Sequence, residues 1–415
     1  MLKYCLEMTR RTLLAAPAAY LQARERVTRE VFLRSPAKGT AVMADAYYTQ
    51  ASGGAMVSIE HRFSRSDTVD VAYYRYSKDY GRAWGPPIER NTGEKRPEGM
   101  LRRHPRTSIV DPRTGRFIEF WIEGVLPTDN PLEGMQQWNI YYKLDGVVHQ
   151  VIHEGDEFNA RHPLPGVYTG KNMVMLGDVA SVPIAWNDGS ILLPAIVTTL
   201  DAAGKIYNPT GGYTYTDAIV LHGRWRGEQL TWRSSEVVKG DPEKCTRGMD
   251  EPTLGTLADG RLIMIMRGSN DRNPALPGYK WVSYSSDGGF RWSAPEPWTY
   301  QSGDPFFSPS ACSQLLRHSN GKLYWLGHIS ATNPRGNRPR YPVYLGEVDQ
   351  NSGLLMRDSL VLVDDRQPGE DEILMLYSPY CREDRQTGQI AVHLSRVFAF
   401  KEGWAGDAML YRVSM

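Results

Sequence analysis

Ser77-Lys78-Asp79-Tyr80-Gly81-Arg82-Ala83-Trp84 returns 208 residues later as Ser285-Ser286-Asp287-Gly288-Gly289-Phe290-Arg291-Trp292, keeping Ser, Asp, Gly and Trp at fixed spacing. Each kept residue serves a tight turn between sheet strands: Ser and Asp bond the turn backbone, Gly takes a positive φ, and Trp packs beneath. Two copies in one chain predict a repeating all-β scaffold.

Outward from these turns, no segment past residue 30 shows sustained 3.6-residue apolar periodicity, and short runs of Val, Ile, Leu, Tyr, Phe and Trp alternate with Gly, Pro, Asn and Asp clusters. One unit recurs, a strand opening on polar residues, a Gly turn, then an apolar strand. Its copies open at Thr40, His104, Asp178, Asp250, Ser308 and Tyr377, and turn at Gly54, Gly115, Gly189, Gly260, Gly321 and Gly388. The turn glycines lie 61 to 74 residues apart, room for four strands per unit. The prediction is a single six-bladed β-propeller over residues 24–415, built of four-stranded antiparallel blades, with the paired octapeptides on outer turns. Residues Glu30 to Arg34 are expected to pair with the last blade and close the ring. A two-sheet sandwich fits the strand content but not the six-fold spacing. Inner strands converge on the axis, so Lys38, His104, Asp178, Asp250 with Glu251, Ser308 and Tyr377 are expected to ring one pocket.

The 48 Lys and Arg residues nearly balance the 47 Asp and Glu, so net charge argues for neither nucleic acid nor a membrane surface as partner. Residues 1–23 include Arg10-Arg11 before a short apolar, alanine-rich run, which resembles a bacterial twin-arginine export signal and predicts a periplasmic or secreted protein. The run is too short for a membrane anchor. Cys245, Cys312 and Cys381 would remain, at spacings that fit neither a disulfide framework nor a zinc site. The nine histidines show no ligand spacing, and no Gly-rich phosphate cradle is present, so no metal or other cofactor is expected.

Taken together, the repeated octapeptide, which is the pattern called the Asp box, and the ordered polar positions resemble the sialidase superfamily over residues 31–415. The segment Asp250-Glu251-Pro252 through Met266-Arg267 resembles the sialidase stretch in which an Asn-Glu pair and an arginine line the site. The resemblance makes Glu251 the glutamate and Arg267 one arginine of a carboxylate-binding triad, with Asp250 in place of Asn. Glu60-His61-Arg62 followed by Asp67 is similar to the run that carries the general acid and base, giving Asp67 that role, with Asp70 second, and placing Arg62 at the site. Tyr377-Ser378 resembles the nucleophile segment, with Tyr380 as second choice. Arg338, with Arg340 beside it, falls where another triad arginine belongs. The chain departs from the pattern at Lys38, which aligns with the first triad arginine; Arg34 lies nearby.

The implied chemistry is coherent. A sugar with a carboxylate on its anomeric carbon repels a carboxylate nucleophile, whereas a neutral Tyr activated by Glu251 avoids that repulsion. Arginines suit the substrate carboxylate because a planar fork donates two parallel hydrogen bonds. The resemblance therefore implies a retaining exo-glycosidase releasing sialic acid or a related acidic sugar. Lys38, Asp178 and His104 motivate a second reading, a glycosidase or lyase acting on a uronic-acid-containing glycan, and the polar ring alone also fits a non-catalytic glycan-binding propeller. Judged singly, Glu251 with Arg267 suits a structural ion pair, Tyr377 a core aromatic, Asp67 a turn residue, and the indoles, Trp138 among them, sheet packing.

Overall fold

The computed structural model describes residues 26–131, 138–151 and 172–415, so the expected export signal lies outside the described residues. Six antiparallel sheets follow one another along the chain and close into a six-bladed β-propeller. Blade 1 runs Ala41–Tyr48, Met56–Phe63, Val71–Ser77 and Ile88–Arg90 from axis to rim. Blade 4 runs Asp250–Thr256, Leu262–Arg267, Lys280–Ser285 and Glu296–Pro297, and blade 5 begins with Gln314–Arg317 and Leu323–His328. Blade 6 is composite: Met375–Glu383, Ile390–Val397 and Ala408–Val413 are joined at the outer edge by the N-terminal strand Val27–Leu33, which pairs antiparallel with Ala408–Val413. That strand closes the ring as expected.

Burial explains the sequence pattern. In blades 3, 4 and 6 the second strand is covered on both faces by neighbouring blades, so Ile191–Val197, Leu262–Arg267 and Ile390–Val397 read as almost continuous apolar runs. Strands of blade 2, Phe117–Leu126 and Trp138–Leu144, alternate buried and half-buried residues with period two. Inter-blade cores fill the gaps, for example Trp298, Trp325 and Phe306 between blades 4 and 5. Cys245, Cys312 and Cys381 are buried and unpaired.

Two blades depart from four plain strands. Blade 2 gains the edge strands Gly93–Arg96 and Val147–Gln150 on either side of Gly99–Val110, Phe117–Leu126 and Trp138–Leu144. Blade 3 has a broken inner strand: Val174–Met175 and Ile184–Ala185 both pair with Ile191–Val197. The expected strand at 178–183 is instead an arch. Ser181 N–H bonds the Asp178 carbonyl at 3.0 Å, Val182 N–H bonds Ala180, and Pro183 has no N–H to give a ladder.

The two octapeptides make the same turn, each between the third and fourth strands of its blade. Asp79 accepts the backbone N–H groups of Arg82 and Ala83 at 3.2 and 2.9 Å; Asp287 accepts those of Phe290 and Arg291 at 3.1 and 2.9 Å. Ser77 and Ser285 accept the N–H of Gly81 and Gly289, which sit at φ 78° and 90°. Each turn leans on the preceding blade: Trp84 meets Phe32 of the closing strand, and Phe290 stacks on His222 of blade 3. Because Asp287 replaces solvent for two turn N–H groups, Asp287→Ala is expected to cost about 1 kcal/mol in urea unfolding, as loss of a helix cap does. An unchanged midpoint would show that the turn needs no such acceptor.

Candidate active site

A cavity of about 400 Å³ opens on the axis where the inner strands begin. Three of the side chains that enter it, one each from blades 2, 4 and 6, come from irregular inner strands. In each of these blades the inner strand carries one extra residue against its partner, between Pro105 and Thr107, Asp250 and Thr253, and Tyr377 and Tyr380. A proline stands at every one of these bulges (Pro105, Pro252, Pro379), where the missing N–H costs no ladder bond. The bulges present Arg106, Glu251 and Tyr377 to the cavity, and they hold Glu251 and Ser378 at φ 41° and 47°, a conformation that non-glycine residues adopt at a cost.

Four arginines and several carboxylates meet there. Arg267, at the end of the second strand of blade 4, places Nη1 2.8 Å from Glu251 and donates Nε to Ser310 at 2.8 Å, with Asp250 at 3.9 Å. Burial works to raise the Glu251 carboxyl, but the charges of Arg267 and Arg340 outweigh it and hold Glu251 below the usual carboxylate range. Burial raises Asp250 instead, against Arg267 and Arg247. Arg247 lies over the Tyr213 ring and 3.7 Å from Asp250. Arg340 differs: it is 8% exposed, it lies 5.4 Å from the centre of the Tyr377 ring, and its backbone carbonyl accepts the Leu376 N–H at 3.0 Å. Among the described residues no carboxylate forms an ion pair with half-buried Arg106 or with buried Arg340, whose Nη2 donates to the Ser310 carbonyl at 3.4 Å, although a buried cation is costly without an anion near it.

Tyr377 packs on Phe63 and faces the cavity. Burial, then the charges of Asp178 and Asp67, push its phenol well above the ordinary value, so it stays protonated at neutral pH. Asp178 sits on the arch of blade 3 and accepts a 2.6 Å hydrogen bond from Ser378 Oγ; burial and then Glu251 raise its carboxyl. His104 is buried against Trp138, accepts the Val69 N–H at 3.4 Å, and is held neutral by burial and then by Arg106.

Asp67 reaches the cavity from an exposed loop at φ 53°, bonded by Ser66 Oγ at 2.8 Å. The loop is pinned at both ends. Asp70 accepts the Ser64 N–H and Oγ–H, both at 2.8 Å, and Arg65 donates to Asp129, which Arg102 grips at 2.7 and 2.6 Å.

Asp67, His104, Asp178, Asp250, Glu251, Arg267, Arg340 and Tyr377 thus share one cavity. Lys38, Arg62 and Arg338 do not line it. Lys38 is exposed in a turn ahead of Ala41, and Arg34 bonds Asp407 at 3.2 Å; Met43 faces the cavity from that strand. Strand alternation turns His61 and Phe63 inward and Arg62 outward, onto Glu60 at 2.7 Å and the Tyr73 ring. Arg338 is exposed and its backbone pairs with Arg335, leaving Arg340 inside. Tyr380 is buried with its hydroxyl on the Ala46 carbonyl. The sequence reading missed Arg106, Arg247, Tyr213 and Trp404, all at the cavity. The proline beside Arg106 was the one signal available, since Arg247, Tyr213 and Trp404 come from non-repeating loops. No group of three or more metal-ligating side chains occurs among the described residues, and no helix there is long and apolar enough to cross a membrane.

Sequence comparison matches the chain to no protein-family model and to no curated protein. Its fold does have solved relatives. A protein of unknown function from Dyadobacter fermentans superposes with a TM-score of 0.60 at 12% identity, over 94% of this chain and 99% of its own. The NanB sialidase of Streptococcus pneumoniae gives 0.58 at 11% identity, over 93% of this chain and 70% of its own. The α-L-arabinanase of Penicillium chrysogenum gives 0.53 at 15% identity, over 92% and 97%. These likenesses establish the propeller fold.

Beneath the cavity Asp45 is fully buried; burial, opposed by Tyr47, reinforced by Asp178 and opposed by Arg106, pushes its carboxyl up to about 8. The folded protein therefore binds a proton that the unfolded chain has already lost near the ordinary value of 3.8, and stability drains away as pH rises between the two. Asp45→Asn removes this loss, so its stability relative to wild type should climb by at most about 1.4 kcal/mol per pH unit through that window. Urea unfolding at the two ends of the window checks it; a difference independent of pH would rule the effect out.

Proposed function

We propose that the protein is a retaining glycoside hydrolase that releases a terminal acidic sugar, sialic acid or a close relative, from glycans. The observation that carries this reading is Arg340, a buried guanidinium with no paired carboxylate, strapped beside Tyr377 at the wall of an axial cavity. A substrate carboxylate would complete that cation, with Arg267 close by, and would bring the anomeric carbon next to the phenol. The Tyr377 oxygen attacks that carbon as its bond to the leaving oxygen breaks; the phenol's proton passes to a cavity carboxylate, which returns it when the sugar leaves, and Asp67, at the open rim, gives the leaving oxygen a proton. In the second step Asp67 takes a proton from water, the water oxygen attacks the anomeric carbon, and the bond to Tyr377 breaks. No step needs a cofactor. The sialidase among the fold's relatives supports the substrate class, and the paired-arginine segment suits an exported enzyme meeting glycans outside the cell.

Arg106 favours a second acidic sugar. It stands on blade 2, across the axis from Arg340, and no arginine of blade 1 lines the cavity. A uronic acid, whose carboxylate is remote from its anomeric carbon, would use Arg106 instead of Arg340. Fluorogenic sialosides and hexuronides, assayed side by side, separate the two, and an unsaturated product absorbing in the ultraviolet would mark elimination in place of hydrolysis. Tyr377→Phe should lower kcat at least about 10³-fold. Arg340→Ala should raise KM about tenfold or more for a sialoside, the worth of one charge-assisted pair. Full activity in Tyr377→Phe would exclude the phenol as nucleophile.

A further inference from the structure

The phenol of Tyr377 must lose its proton as it attacks, and Asp178 and Glu251 both line the cavity that it enters. Resting on the function proposed above, we infer that the proton acceptor is Asp178, on the arch that interrupts blade 3, and that Glu251 is a positioning partner of Arg267.

The geometry separates the two acids. Glu251 Oε2 lies 2.8 Å from Arg267 Nη1, and each side chain is 11% exposed. Protonating Glu251 would leave Arg267 as a buried cation stripped of its closest anion, a strongly destabilising change in a buried pair. Asp178 carries no such penalty: its bonded side-chain partner is the neutral hydroxyl of Ser378, at 2.6 Å, and Ser378 directly follows Tyr377. The arch is shaped for this contact. Residues 176–183 leave the sheet, and Gly177 lies so close to Glu251 that a Cβ there would stand 2.7 Å from the Glu251 Cγ. The arch therefore rests against Glu251 at Gly177 and reaches Ser378 at Asp178. The left-handed backbone of Ser378 turns its hydroxyl to Asp178 while Tyr377 enters the cavity.

The environments of the two acids also differ in the direction a base requires. Around Asp178 stand Asp45 of blade 1, Arg106 of blade 2, Glu251 of blade 4, Arg340 and Cys312 of blade 5, and Tyr377 of blade 6. Burial and the Glu251 charge raise Asp178, whereas Glu251 is held low by its arginine, so Asp178 is the stronger base. The step balances. The Tyr377 oxygen bonds the anomeric carbon, its proton passes to the Asp178 carboxylate, and the glycosidic bond breaks with a proton from Asp67. When water releases the sugar, Asp178 returns its proton to the Tyr377 oxygen.

Asp178→Asn and Glu251→Gln distinguish the assignments on whichever fluorogenic sialoside or hexuronide the wild type turns over. Asp178→Asn should lower kcat about 10²-fold to 10⁴-fold with little change in KM, and should remove the acidic limb of the kcat/KM profile. Glu251→Gln should mainly raise KM and keep that limb. The reverse pattern, or an Asp178→Asn enzyme within tenfold of wild-type kcat, overturns the inference while leaving Tyr377 as nucleophile. If the wild type turns over neither substrate, the proposed function fails, and infrared titration of the carboxyl groups still decides the Asp178 environment. The wild-type minus Asp178→Asn spectrum should then show a carboxyl ionising above the usual carboxylate range. Ionisation within that range overturns the inference.

Discussion

The pairing of Val27–Leu33 with Ala408–Val413 is the contact on which the rest of the molecule depends. It joins the two ends of the described chain in one blade, so each sheet has a neighbour on both faces. Only then can a strand such as Ile191–Val197 bury every residue. A closed ring also fixes where polar groups can go: the inter-blade spaces are apolar, and the inner strands crowd their polar openings into one axial cavity. The arrangement that stabilises the fold thereby concentrates charge.

That concentration is itself costly, and the way it is relieved separates structural charges from chemical ones. Arg396 is ion-paired with Asp364 and Glu370, and Tyr411 donates to Asp364, so this buried group is internally satisfied at the ring closure. At the cavity Arg267 is paired with Glu251, whereas among the described residues neither buried Arg340, whose Nη2 donates to the Ser310 carbonyl at 3.4 Å, nor half-buried Arg106 forms an ion pair with a carboxylate.

The fold was legible because it is written in repeats. Six glycine turns and two matching octapeptides give blade number and register, and the apolar runs identify the second strands without any knowledge of their partners. The candidates that follow the repeat reach the cavity: Glu251 and Tyr377 stand near the start of inner strands, and Arg267 ends a second strand. Reading failed where backbone geometry overrides spacing. Lys38 aligned with an inner-strand opening, yet the strand begins only at Ala41. Arg338 matched by count, but the backbone pairing of Arg335 with Arg338 ends in the loop and delivers Arg340. Arg62 was assigned by spacing to the site although period two sends it to the opposite face from His61. Arg247 and Tyr213 belong to loops whose course no local pattern specifies.

Prolines connect these successes and failures. Pro105, Pro252 and Pro379 occupy inner strands, where a residue without an N–H fits only at an edge or a bulge, and each bulge shifts the alternation by one. A two-residue period from His104 puts Arg106 on the same side, and both line the cavity, so there the bulge keeps the aim that plain alternation gives. The same irregularity places Glu251 and Ser378 in left-handed backbone, which no local preference of Glu or Ser favours. Such strain persists because the ladders on either side hold it. The bulge itself recurs in blades 2, 4 and 6, at the three positions that send Arg106, Glu251 and Tyr377 to the cavity, and it makes the site a property of broken regularity: the repeat builds the ring, and departures from the repeat aim the side chains.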